Sequence, residues 1–252
     1  MVNKDSEISH GNSAYSSNPY ISYSQYSSFD DTLAKYLSEK SISEMIKVNS
    51  EIRRILARFK IPIKINMKIL RHLVKNHLPA TKKIALGIAE YLPDTYKPFV
   101  NKKALAEATC LHDIAKVIIP ENILNKAGAL NKSEREIMDE HAKLSYELLK
   151  TTDLSHDTLD LIKNHHDANC SKPDINLQIL SIADIYSALR EKRSYKKELT
   201  KEQSLEILKK EMQKGKFDKN IYKALVAYAE KEDSGNRKRK IFNLEFVNSF
   251  SA

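Results

Sequence analysis

The chain has 252 residues, of which 41% are hydrophobic and 30% charged, and a net charge of +9 at pH 7. That length supports one sizeable core with a small accessory segment, and the balance is that of a soluble globular protein. No apolar run approaches a membrane span, the start carries no apolar signal segment, and Cys110 and Cys170 are too few for a disulfide framework, so a reducing, cytoplasmic setting is expected.

In chain order, residues 1–29 are rich in Ser, Tyr and Asn and show no helical period, which predicts a disordered leader. Residues 30–62 form a short helical segment, with apolar positions three and four apart at Leu33, Tyr36 and Leu37, then Met45 and Ile46, then Ile52, Ile55, Leu56 and Phe59. Pro62 interrupts it. The main domain, 63–230, repeats the helical period over 64–76, 80–92, 102–118, 133–150, 156–166, 175–192, 201–213 and 218–230. Pro79 suits a first helical turn, Ser133 with Glu136 reads as a capping box, and Thr200 opens another helix. Residues 117–131, broken by Pro120 and Gly128, read as a loop. Five glycines, no Asn-Gly pair and little apolar/polar alternation exclude a sheet protein, so the fold class is all-α. The basic run at 237–240 lies in a charged tail, 231–252, and reads as a solvated segment. The positive balance suits an anionic partner such as a nucleotide. With no aromatic and basic interleaving, neither stable nucleic-acid binding nor a membrane is expected.

The stretch LHDIAKVIIP, residues 111–120, places His112, Asp113 and Lys116 among residues that want a core. Unpaired buried charge is expensive, so something there must neutralise it. The same tension recurs at Asp184, flanked by Ile182, Ala183 and Ile185, and at the adjacent His165 and His166. A lone histidine on a helix is more often structural than a ligand, and His10 and His156 are read that way. His72 and His77 compete for a further ligand position, with His77 preferred and His72 taken as a surface or packing residue. Two cations would neutralise Asp113 and Asp184 and use neutral imidazoles as ligands. Mixed nitrogen and oxygen donors suit Fe, Mn, Zn or Ni better than Mg or Ca.

On these residues the sequence resembles the HD-domain metal-dependent phosphohydrolases. His77, the His112–Asp113 pair and Asp184 carry the likeness, together with the blocks HDIAKVIIPENILNKAGALNKSEREIMDEH and ADIYSALREKRSYKKELTKEQSLEIL. His141 and the His165–His166 pair are similar to the HD-GYP branch, cyclic di-GMP phosphodiesterases. The resemblance implies an HD-domain helical bundle with two divalent transition metals, Fe or Mn foremost and Zn or Ni next. One would be held by His77, His112, Asp113 and Asp184, the other by Asp113, His141, His165 and His166, with Asp113 bridging. It implies an enzyme that cleaves a phosphodiester of a cyclic dinucleotide by metal-activated hydroxide. Lys116 would stabilise the scissile phosphate, and Arg193 and Lys196 would contact the substrate phosphates.

The chain departs from that branch in four places. Ala115 stands where the branch has Gly. Asp167 and the sequence ANCSKPD replace a Glu and the Gly-Tyr-Pro loop, Leu73 replaces the Glu of three-metal members, and Ser187 replaces an Asp. Two other readings follow: a nucleotide phosphohydrolase of the same superfamily, and a non-catalytic signalling module of the same fold. A homodimer or a signalling partner is compatible with all three.

Overall fold

The computed structural model describes residues 35–171, 174–191 and 198–232, and among these it is all-α, with no strand. The first two helices, α1 (Glu39–Val48) and α2 (Ser50–Arg58), are both capped by side chains: Ser38 accepts from the Ser41 amide and Asn49 from the Ile52 amide. Their apolar faces, Ile42, Ile46, Ile52, Ile55 and Leu56, are buried in the same core as the rest of the chain. They pack on the long helix α7 (Lys132–Leu149), to which Asn49 Nδ2 also donates at the Glu147 carbonyl, 2.7 Å away.

The next stretch is predicted as two helices and is found as one continuous rod. Helix α3 (Met67–His72) passes into a π-helical turn, Leu73–His77, and on into α4 (Leu78–Tyr91). The cause is Pro79. Proline has no N–H to offer the carbonyl four residues back, and its ring crowds that carbonyl. Widening the preceding turn, so that the Leu78 amide reaches the Leu73 carbonyl, lets the helix pass through without breaking.

The span 102–118, predicted as one helix, is also divided. Helix α5 (Lys102–Leu111) stops before His112, and Ile114–Ile118 form a 3-10 turn. Asp113 sits between them at φ −102°, ψ 7°, in the sparsely allowed bridge region. The Ala115 amide donates to Ser145 Oγ on α7 at 3.1 Å, which anchors the turn. Residues 117–131, predicted as a loop, include one short helix, α6 (Glu121–Leu124). The capping box of α7 lies at Asn131 and Glu134, two residues before the predicted Ser133 and Glu136; both pairs have the right spacing, and the asparagine takes the cap.

Helices α8 (His156–Asn164), α9 (Ile175–Arg190) and α10 (Lys201–Gln213) follow, with Thr200 and Gln203 forming the capping box of α10. A last helix, α11, covers 219–232. The centre of the bundle is α4 against α5 and α9, with α8 bridging α5 and α7. Cys110 is buried and Cys170 exposed, and neither is in a disulfide. No helix among the described residues is long and apolar enough to cross a membrane.

Helix α11 meets α4 at Gly87, where any Cβ would overlap the buried ring of Tyr228. Helix propensity alone would favour alanine there. The clash is expected to reverse that preference, with Gly87→Ala lowering stability by about 1–3 kcal/mol in chemical denaturation. An unchanged or raised midpoint would show that Tyr228 can move aside.

Candidate metal centre

Seven of the residues singled out above converge at the middle of this bundle, delivered by several local devices. His77 ends the π turn. His112 caps α5 and Asp113 follows it. His141 lies inside α7, His165 caps α8 with His166 next, and Asp184 lies inside α9. His77, His112, Asp113, His141, His165 and Asp184 are buried, whereas His166 is on the exposed edge. They fall into two groups whose donor atoms lie within 4.8 Å of one another: His77, His112, Asp113 and Asp184, and His141, His165 and His166.

Asp113 faces both groups. Its Oδ2 is 3.2 Å from His77 Nε2 and 3.5 Å from His112 Nε2, while its Oδ1 is 3.2 Å from His141 Nε2 and 3.9 Å from His165 Nε2. Asp184 Oδ1 closes the first group, 3.1 Å from His77 Nε2 and 3.5 Å from His112 Nε2. In the second group the His141 Nε2 lies 3.3 Å from that of His165 and 2.9 Å from that of His166. Lys116 Nζ sits 2.5 Å from Asp113 Oδ2 and is mostly buried.

Three of the histidines are held alike. The Nδ1 of His112, His141 and His165 lies 3.1, 2.5 and 2.7 Å from the backbone carbonyls of Thr109, Met138 and Ile162, each three residues earlier. In the neutral ring this places the proton on Nδ1 and turns the Nε2 lone pair into the centre. Histidine nitrogens that converge tip to tip have no donor to share, and the Nε2 atoms of His77 and His112 and Asp113 Oδ1 are buried without a hydrogen-bond partner. Polar atoms left so are costly unless a cation takes their lone pairs. The donor set therefore fits divalent metal.

The electrostatics divide the centre. Burial by itself would raise Asp113 and Asp184. The Lys116 charge and the adjoining His112 ring prevail at Asp113, and the nearby His112 and His77 rings prevail at Asp184, so both stay well below the usual carboxylate range. Burial would depress His77, yet Asp113, Asp184 and Glu191 raise it well above an ordinary imidazole. On the other side burial, reinforced by neighbouring histidines, holds His165 well below its ordinary value and His166 down to about 4.

The sign of the resulting pH dependence follows. Below the ordinary histidine pKa the unfolded chain protonates both residues, whereas the metal-free native state keeps them neutral. The unfolded state then binds more protons, so stability falls as pH drops from 6.5 toward about 4. His77, raised in the native state, opposes this slope only near pH 6.5 and adds nothing well below it, where both states are protonated. Thermal unfolding of chelator-treated protein should show the fall, and the double variant His165→Gln, His166→Gln should flatten it. A wild-type melting temperature constant over that interval would contradict the neutral state of the pair.

Of the remaining residues, His72 is half-exposed and bound to Glu191, and His156 is an exposed partner of Asp160 at the start of α8. His10, Arg193 and Lys196 lie outside the described residues. Sequence reasoning missed Glu191, whose carboxylate approaches both His72 and His77. Its one trace in the sequence is its spacing of seven residues from Asp184, which puts it just past the end of α9. Beside His166 a cleft of about 590 Å³ opens, lined by Asn164, Asp167, Asn169 and Asp174 among others.

Residues 74–189 match the family model of the HD domain, a span that holds all seven convergent residues. None of the curated proteins compared with the chain matches it. The similarity to the HD domain and the buried cluster within it are compatible with metal-dependent phosphohydrolase chemistry.

Proposed function

We propose that the chain hydrolyses a phosphodiester, with a cyclic dinucleotide as substrate, at a centre of two divalent cations. His77, His112, Asp113 and Asp184 would hold one, and Asp113, His141, His165 and His166 the other. The observation that carries this reading is the division of Asp113, one oxygen turned to each group of donors. A carboxylate between two sets of imidazoles suits a shared ligand. Divalent cations there would supply Lewis acidity to a water and to the phosphoryl oxygens. The protein's own contribution is placement. Backbone carbonyls fix three of the rings, the surrounding core excludes bulk water, and Lys116 lies where an ammonium can offset charge on a phosphoryl oxygen. Arg193 and Lys196 would meet the second phosphate of the dinucleotide.

The cleft beside His166 favours a second reading. Asp167 and Asp174 line it, and carboxylates repel a second phosphate, whereas Asn164 and Asn169 can hydrogen-bond a base or sugar. A nucleotide with a single phosphate would suit such walls. Protein purified without chelators should carry close to two transition-metal ions per chain by elemental analysis. A panel of cyclic dinucleotides, mononucleotides and bis(p-nitrophenyl) phosphate then separates the readings. Hydrolysis of a cyclic dinucleotide, with a larger loss from Arg193→Ala on it than on bis(p-nitrophenyl) phosphate, supports the first. Activity confined to mononucleotides establishes the second, and metal-free protein that binds neither Fe nor Mn removes both.

A further inference from the structure

His77 differs from the other buried histidines of the centre in having no backbone carbonyl to hold its outer nitrogen. Its Nδ1 is buried without a hydrogen-bond partner, unlike those of His112, His141 and His165. The carboxylate of Glu191 approaches it, with Oε2 3.6 Å from that nitrogen. This is too long for a hydrogen bond and short enough to select where the proton sits. An imidazole that leaves the choice open can put its proton on Nε2, the nitrogen that faces Asp113 and Asp184, and then cannot ligate a cation through it.

Glu191 is itself held. Its Oε1 lies 2.7 Å from His72 Nε2, and Asn76 Nδ2 lies 3.2 Å from His72 Nδ1. An amide nitrogen only donates, so in the neutral ring Nδ1 accepts from Asn76 and the His72 proton is on Nε2, the nitrogen that lies beside Glu191. Asn76, His72 and Glu191 thus stand in a row, with His77 approaching the same carboxylate from inside. The two glutamate oxygens are both buried, and the side chain is only 12% exposed.

From this arrangement we infer that Glu191 is a positioning residue, braced by His72, that fixes the His77 ring with its Nε2 lone pair toward Asp113 and Asp184. The inference rests on the reading of those residues as a cation site. It gives His72 a role one step further out than a ligand.

The test is Mn²⁺ binding to the full-length chain by calorimetric titration after chelator treatment. Wild type is expected to bind Mn²⁺, and Glu191→Ala to weaken one of the two positions by about tenfold to a hundredfold, the usual loss when an outer partner of a ligating histidine is removed. The position formed by His141, His165 and His166 should keep its wild-type affinity. Glu191→Gln offers a carbonyl to the same proton and should restore binding to within a few-fold of wild type, while His72→Ala should show a smaller loss than Glu191→Ala. A purely structural role predicts otherwise: a lowered melting temperature in both alanine variants with Mn²⁺ affinity unchanged, and that result overturns the inference. Should Glu191→Ala fail to fold, Glu191→Gln against Glu191→Leu decides the same point, equal affinities in the two refuting it. If wild type itself binds no Mn²⁺, the cation reading and this inference fall together; if wild type binds and Glu191→Ala binds equally well, only the inference falls.

Discussion

Asp113→Ala is expected to lose both metal ions at once and to lower turnover of bis(p-nitrophenyl) phosphate by at least ~10³-fold, the equivalent of several kcal/mol of Lewis-acid stabilisation. The double loss is the informative part. His77 and His112 meet one Asp113 oxygen, His141 and His165 the other, so this one carboxylate faces both groups. His166→Ala, on the exposed edge of the second group alone, should by contrast lose one ion and keep the other. Removing the carboxylate also leaves Lys116 and the protonated His77 with less negative charge to face, so the metal-free variant should be less stable than wild type. Asp113→Asn preserves shape and separates that effect from ligation. Elemental analysis of the three variants is the measurement, and Asp113→Asn retaining one fully occupied position would show that the carboxylate does not join the two.

Much of this centre was legible in the sequence because polar residues in apolar helices stand out. His112 and Asp113 precede a run of core residues, Asp184 sits among Ile182, Ala183 and Ile185, and the helical period around each is strong. What the period cannot show is where a helix changes its winding. The π turn at Leu73–His77 and the break at Asp113 leave the apolar spacing almost intact, yet they aim His77 and Asp113 inward. The signals were Pro79, which a plain helix cannot absorb, and the charged pair at the end of α5. Glu191 was hidden for another reason. Its meaning lies in contacts with His72 and His77, which are far from it in the chain, and on sequence alone it is one acid beside three basic residues. The capping box was misplaced because two pairs in the same segment satisfy the rule, and only the observed backbone decides between Asn131 and Ser133.

Lys116→Ala is expected to separate catalysis from metal binding. Lys116 is not a donor to any cation, since an ammonium has no lone pair to give. It occupies the 3-10 turn after Asp113 and contacts the same Oδ2 that faces His77 and His112. Its charge neutralises Asp113; cations held there would take over that task, leaving the ammonium able to offset charge on a phosphoryl oxygen. Removing it should therefore leave metal stoichiometry at the wild-type value and make binding equal or tighter, because a competing positive charge is gone. Turnover should nevertheless drop by ~10²-fold or more, the scale of one electrostatic donor at a reacting oxygen. The loss should fall on kcat rather than on KM if the charge acts on the transition state and not on the bound substrate. Lys116→Arg keeps the charge with a different shape and should recover only part of the loss, as the guanidinium cannot stand as a point charge in that space. Metal content and steady-state kinetics on one preparation decide the matter. Unchanged turnover would remove Lys116 from the reaction, and lost metal would recast it as a structural partner of Asp113.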